Sequence, residues 1–402
     1  MNMTKTDRIG ELLQEHLSEM VFDELSYDYL KRAEVYDILK DIPVPIRKTE
    51  MTGLSVLKIA MNMAFVFGCD PDFKYKDNYI KYILKNFDKN FANGMIAQGV
   101  DIAQEEKYDE ACIWFRAAIQ IDPDNANAYY CYGRSLKDCY EKIAQAEETS
   151  ELVQSDPGVV EDIIGRYKAE SIEAFEVATV KNPDLTEAYY FLGYAYLNMG
   201  LYVKTKLIWE KYLELAEKDS RSHLTGEADK ALENAMKDVR ERMKQLEEPV
   251  KIEEGYNLIL TGKFDEGIKI LKPYTEESSE GRFRNWWPLW FYLGTAYREL
   301  AKSSEKELLE AEPDAVAKDD EVVRAAYEEA LKYYLQVLKL SPSNKEAMEE
   351  VVEIYKFLGD EEKVDKYTKK IAIVTENAEA DREAMRDRAQ REAGITRPVK
   401  MS

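Results

Sequence analysis

Between residues 92 and 378 the chain repeats itself about every 34 residues, and a period of that length restricts the fold more than any other feature. A unit so short cannot bury an apolar face alone, so neighbouring copies must stack and share one core. Each copy carries small and aromatic residues at fixed offsets. Trp290-x2-Leu293-Gly294-x2-Tyr297 is the fullest instance, and Tyr189-x2-Leu192-Gly193-x2-Tyr196 repeats it with one aromatic exchanged. A second pattern follows in the same copies: a small residue, an aromatic four later and a proline eight beyond. It reads Ala111, Phe115, Pro123, then Ser171, Phe175, Pro183, then Ala330, Tyr334, Pro342. Helix formers fill the segments between, and most of the 12 prolines fall at their ends, so each copy reads as a pair of helices.

The residue types follow from that geometry. Gly99, Gly133, Gly193, Gly255 and Gly294 fall where the two helices of a hairpin cross, and a side chain there would force them apart. The aromatics fill the space around the crossing, and each proline forbids continuation of a second helix. Over roughly residues 92–378 the pattern resembles the tetratricopeptide-repeat (TPR) family. The resemblance implies an all-α fold, a TPR-type α-α superhelix or solenoid, preceded here by an N-terminal helical domain.

Six repeats are expected, starting near 92, 126, 186, 248, 287 and 345. The halves correspond: Gly99 with Gly255, Gly133 with Gly294 and Pro183 with Pro342 lie 156 to 161 residues apart, as in a duplicated three-repeat module. The second and fifth copies are longer. Their extra residues, about 137–168 and 299–325, read as helices prolonged at the hairpin tip by roughly 20 Å at 1.5 Å per residue. Asp156-Pro157-Gly158 and Glu312-Pro313-Asp314 are the expected tips, each a helix stop joined to a new N-cap. In the first of these spurs Leu136, Tyr140 and Ile143 face Val160, Ile163, Ile164 and Tyr167; in the second Leu300, Leu308 and Leu309 face Val322, Val323 and Tyr327.

The chain then divides into an N-terminal helical bundle (1–91), a first module (92–247), a second module (248–378) and a charged helical cap and tail (379–402). Residues 226–247 space Leu232, Met236, Val239, Met243 and Leu246 by four and three in alternation, giving one apolar stripe: a capping helix or a coiled-coil seam. In residues 1–91 helical periodicity is read at about 7–20, 27–40, 51–67 and 73–87, with Ile42-Pro43-Val44-Pro45 as an extended connector.

Charge and composition narrow the function. The net charge is −22; residues 1–91 hold 13 basic and 15 acidic side chains, a balance of −2, which leaves −20 on the rest. Such a surface does not attract phosphate backbones or anionic bilayers, and no glycine-bearing turn leads into a basic recognition helix, so neither nucleic acid nor membrane is expected as a partner. The start of the sequence has no basic cap before an apolar run, and the four cysteines have no CxxC spacing, which fits reduced thiols and a cytoplasmic location. His16 and His223 are the only histidines, both read as surface residues, and no metal-ligand spacing, nucleophile elbow or phosphate loop is present. Neither a catalytic set nor a cofactor or metal site is expected.

In the family this sequence resembles, first helices line a concave groove at repeat positions two, five, nine, twelve and thirteen. Carried across, these give Asn93, Ile96, Val100 and Gln104, then Asn127, Tyr130, Arg134 and Lys137, then Glu187, Tyr190, Tyr194 and Asn198. The second module supplies Tyr256, Phe291, Thr295, Arg298 and Glu299, and its last repeat Glu346, Glu349, Glu353 and Lys356. Amides suit pairing with a peptide backbone and aromatic faces suit covering its side chains, though the same residues could simply solvate a helix. The resemblance implies a non-enzymatic scaffold for a protein or peptide ligand, with a basic segment favoured at the acidic end. The alternative is a peptide-responsive regulator whose N-terminal domain acts on DNA or an enzyme. The basic clamp that binds chaperone tails in this family is missing, since Ile96, Val100, Cys131, Glu187 and Phe191 occupy its sites. Trp286 and Trp287 are either an exposed anchor or core. Oligomeric state is open, with the spurs and the 232–246 stripe as candidate seams.

Overall fold

The computed structural model describes residues 7–48, 55–147, 157–221, 227–276 and 283–392, which form two compact units, residues 1–239 and 240–402. In the first, α1 (Gly10–Gln14), α2 (Tyr27–Arg32), α3 (Tyr36–Leu39), α4 (Val56–Cys69) and α5 (Lys76–Phe87) precede three helical hairpins. These are α6 (Phe91–Gln104) with α7 (Tyr108–Ile121), α8 (Ala126–Glu147) with α9 (Pro157–Lys181), and α10 (Thr186–Asn198) with α11 (Tyr202–Arg221). Helix α12 (Glu227–Gln245) follows. The second unit pairs α13 (Glu247–Leu260) with α14 (Phe264–Leu271), α15 (Trp287–Ala311) with α16 (Glu321–Leu340), and α17 (Lys345–Leu358) with α18 (Glu361–Glu392).

The crossings are as tight as the glycines require. A Cβ on Gly99 would lie 2.7 Å from the Phe115 ring, on Gly133 2.8 Å from Phe175, on Gly193 2.1 Å from Trp209, and on Gly294 3.0 Å from Tyr334. In these four hairpins a buried second-helix ring thus lies flush on a bare stretch of first-helix backbone. The fourth hairpin uses Leu271 against Gly255 instead, and its second helix is cut to eight residues, a 3-10 turn with Pro273 following. Hairpin turns put one residue in the left-handed region: Gly200, Gly262 and Gly359 in three of them, but Glu106 (φ 60°) in the first.

The N-terminal segment is not purely helical. Its first helix is only five residues, and the expected connector is a strand: β2 (Val44–Arg47) pairs antiparallel with β1 (Met20–Asp23), Met20 opposite Arg47. Pro43 and Pro45 keep that stretch from coiling, and the Tyr79 hydroxyl fixes it by donating to the Pro43 carbonyl at 2.6 Å. A continuous core, from Ile9 through Phe65 and Phe115 to Ala174, joins this segment to the first two hairpins. Helix α4 runs against α7 so closely that a Cβ on Gly68 would meet the Ile113 carbonyl at 2.3 Å. Polar ties add register: Arg8 bridges Glu170 and Glu173 at 2.8 and 2.6 Å, Asp7 pairs with the buried Arg116, and His16 Nε2 meets Asp109 at 3.0 Å. His16 is therefore an inter-element contact and not the solvated surface residue the sequence suggests; His223 lies outside the described residues.

Two hairpins are long, with α8, α9, α15 and α16 at 20 to 25 residues against 14 each for α6 and α7. Asp156 lies outside the described residues. At the second tip α15 ends at Ala311 and Glu312-Pro313-Asp314 turns the chain, but α16 begins only at Glu321, capped by Asp320 accepting from Val322 and Val323 N–H. Leu309 and Val322, expected to face one another there, are exposed. The stripe on α12 turns inward: Met236, Val239 and Leu246 are buried within this one chain. No separate cap begins near 379, since α18 runs unbroken to Glu392 and residues 393–402 lie outside the described set. No described helix is long and apolar enough to cross a membrane.

Candidate functional site

The first unit concentrates aromatic side chains where its second and third hairpins meet. On α8, Tyr130 and Arg134 are one turn apart on the same face, and Arg134 Nη1 donates to the Tyr130 hydroxyl at 3.4 Å. From α10, Phe191 extends its ring beneath them, with the guanidinium carbon 4.2 Å above its face. Phe175 from α9 stacks under Phe191 at 6.0 Å. Tyr190 meets Phe191 edge-on at 5.0 Å and Tyr194 at 4.9 Å, and Tyr194 sits 5.0 Å from Trp209, whose indole donates to the Tyr190 carbonyl at 3.3 Å. The Tyr194 hydroxyl donates to Asp238 of α12. The cluster is rigid because nearly every ring touches another.

One group in it is unsatisfied. Arg134 Nε is buried and has no hydrogen-bond acceptor. A buried donor left unpaired costs roughly 1–3 kcal/mol, more when charged. Burial holds the Tyr130 hydroxyl above its ordinary pKa, with Arg134 opposing, so it is neutral at pH 7 and serves as donor or acceptor. Asn93, Asn127 and Asn198 are exposed, and Asn93 takes an amide hydrogen bond from Asn125 at 3.3 Å. Lys137 is turned to Glu141 on its own helix, which withdraws it from the cluster.

Repeat register therefore brings Tyr130, Arg134, Tyr190 and Tyr194 together. It does not single out Phe191, Trp209 or Asp238, which hold the cluster's geometry; the Tyr189-Tyr190-Phe191 run was the available signal for the first.

In the second unit Tyr256 stacks on Tyr292 at 4.8 Å, nearly parallel, and Phe291 meets Tyr334 edge-on at 5.5 Å. Arg298 is already engaged, paired with Glu299 at 2.6 Å and with Glu350 of α17, so its charge is spent holding two hairpins together. Glu346, Glu349 and Glu353 are exposed along α17. Trp286 is 40% exposed, while Trp287 packs on Phe291. All four cysteines are free thiols, and no cluster of three or more histidine, cysteine or carboxylate side chains suited to a metal occurs among the described residues.

Residues 102–137, from the end of α6 through α7 into α8, match the family model for the TPR repeat. None of the curated proteins compared matches the chain. Among solved structures it is similar to YrrB, a TPR protein with an unusual peptide-binding site, at 14% identity and TM-score 0.25, over 65% of this chain and 91% of that one. It is similar to PilF of Pseudomonas aeruginosa at 11% identity and TM-score 0.25, over 73% and 99%. The Cut9–Hcn1 hetero-tetramer of the APC/C matches at 13% identity and TM-score 0.28, over 95% and 68%. With six helical hairpins among its described residues, glycine against ring or leucine at five of their crossings, and the match at 102–137, the chain has a TPR-type α-α hairpin fold and carries a TPR repeat at residues 102–137.

Proposed function

We propose that the chain is a non-enzymatic scaffold that holds an extended segment of another polypeptide against the first helices of its first unit. The observation that carries this is Arg134: a guanidinium set on the Phe191 ring, braced by Tyr130, with a buried Nε–H that no protein acceptor satisfies. A backbone carbonyl or side-chain carboxylate of a bound peptide completes it, and charge-assisted bonds of this kind are the strong ones. Tyr190 and Tyr194 offer apolar faces with polar tips, and the exposed amides of Asn127 and Asn198 flank them for backbone pairing. In the second unit the exposed glutamates of α17 favour a basic segment through complementary charge.

The test is affinity capture from a native lysate with the wild-type chain and with Arg134→Ala. Truncating a central, desolvated anchor weakens binding by about 2 kcal/mol or more, near 30-fold, so the captured set should be depleted. Identical capture by both, with the variant folded by circular dichroism, removes the face from the account.

A further inference from the structure

A cavity of about 260 Å³ lies where β2 and α4 pack against the first hairpin, and it shares no lining residue with the Arg134 cluster. Its walls carry Arg47 from β2, Lys58 from α4, Gln98 from α6, and Glu110 and Trp114 from α7. Three features of this lining are unusual together. Trp114 is 4% exposed, yet its indole N–H has no acceptor. Arg47 forms no ion pair among the described residues; its guanidinium carbon rests 4.6 Å above the Phe65 ring. Glu110, half-buried, also forms none. A guanidinium and a carboxylate thus face one small space without reaching each other, beside an unsatisfied buried donor.

The buried Trp114 N–H is costly to leave unpaired, and the half-buried charges of Arg47 and Glu110 each gain from a complementary partner. A simple anion would satisfy Arg47 and Trp114 but would be set against Glu110. A simple cation would do the reverse. A molecule with a carboxylate at one end and an ammonium at the other relieves all three, and the cavity is smaller than the roughly 300 Å³ at which drug-sized sites begin. We propose that this cavity binds a free amino acid or closely related small zwitterion. Its carboxylate accepts from Arg47 and from Trp114 Nε1, with Lys58 adding positive charge, and its ammonium donates to Glu110. Gln98 is placed to hydrogen-bond either end.

The site does not depend on the peptide face, and the two can fail separately. Full-length protein is titrated with each of the twenty free amino acids by calorimetry and thermal shift. Every amino acid that binds is retested as its carboxamide and its N-acetyl derivative, with inorganic phosphate alongside. Saturable binding of at least one free amino acid is expected, weakened tenfold or more by either modification. Trp114→Phe keeps an aromatic ring beside Phe65 but removes the N–H together with part of the buried indole, so its expected loss of about tenfold in affinity is read beside its melting temperature. Glu110→Gln tests the ammonium end at a half-buried position where folding is not at stake. The proposal is overturned if no free amino acid binds at 10 mM or below, if the blocked derivatives bind as well, if phosphate alone binds, or if Glu110→Gln leaves affinity unchanged.

Discussion

Replacing Gly193 by alanine should destabilise the first unit more than any other glycine-to-alanine change at a hairpin crossing. The added methyl would sit 2.1 and 2.2 Å from the Nε1 and Cδ1 atoms of Trp209, a side chain with no exposed surface. Tyr194 holds that ring from one side at 5.0 Å and the Tyr190 carbonyl holds its N–H, so it cannot swing clear. Overpacking costs about 1–3 kcal/mol, and contact this close belongs at the upper end. Losing the buried indole bond adds roughly 1 kcal/mol. Alanine's better helix propensity returns about 1 kcal/mol, leaving a net loss near 3 kcal/mol. For a unit of 239 residues, at roughly 2–4 °C per kcal/mol, the midpoint should fall by about 6–12 °C. Gly94→Ala is the control, since a methyl there meets nothing within 4 Å, and it should raise stability by about 0.5–1 kcal/mol. Gly294→Ala, with its nearest contact at 3.0 Å, should cost less than Gly193→Ala. Thermal and urea melts followed by circular dichroism and tryptophan fluorescence read all three. If Gly193→Ala melts no lower than Gly94→Ala, the crossing is not held by ring against bare backbone.

Other residues give sharp expectations. Glu106→Gly relieves a left-handed residue where other hairpin turns use glycine, and should stabilise by roughly 1 kcal/mol in urea melts; no gain would mean the turn carries no strain. The hydrogen bond to Asp109 raises the His16 pKa against burial, and the same bond holds the Asp109 carboxyl below its usual range. Their pair is intact between those two titrations, weakening as pH rises through the folded histidine pKa and as it falls through the folded carboxyl pKa. With Asp109 half exposed the contribution is about 1 kcal/mol or less; wild-type melts should decline as pH rises above 6.5 through the folded histidine pKa, and His16→Gln should abolish that decline. Burial pushes the Cys69 thiol up to about 12 and that of Cys131 to about 11, so both should resist iodoacetamide at pH 7.5 until urea exposes them; rapid native labelling would contradict their packing.

What the sequence discloses follows from where its constraints are local. Gly99 with Phe115 and Gly294 with Tyr334 recur at one spacing because one crossing is built repeatedly, so the hairpins are readable without coordinates. The strand pair was hidden because each strand has four residues and β1 buries only Met20, leaving no alternation to notice. The late start of α16 is hidden because Asp314 and Asp320 are equally good caps on paper, and the helix uses the second. Tyr130, Arg134, Tyr190 and Tyr194 can be listed from repeat register, but the unsatisfied Nε of Arg134 depends on Phe191 and Tyr130 claiming its other faces. The cavity at Trp114 is less visible still, since half its wall comes from β2 and α4, outside any repeat.

The hydroxyl of Tyr194 ends on Asp238, which places α12 beside the third hairpin's first helix. That contact works as a stop on a ruler. A strand lying across α6, α8 and α10 spans two helix-to-helix steps of about 8–10 Å each, near 20 Å with little overhang. At about 3.3 Å per residue, such a ligand fits some six to eight residues before it meets α12. If the proposed peptide face is right, binding strength measured on peptides of increasing length should climb and then level off at that size, and a steady climb past it would count against α12 as the end of the face.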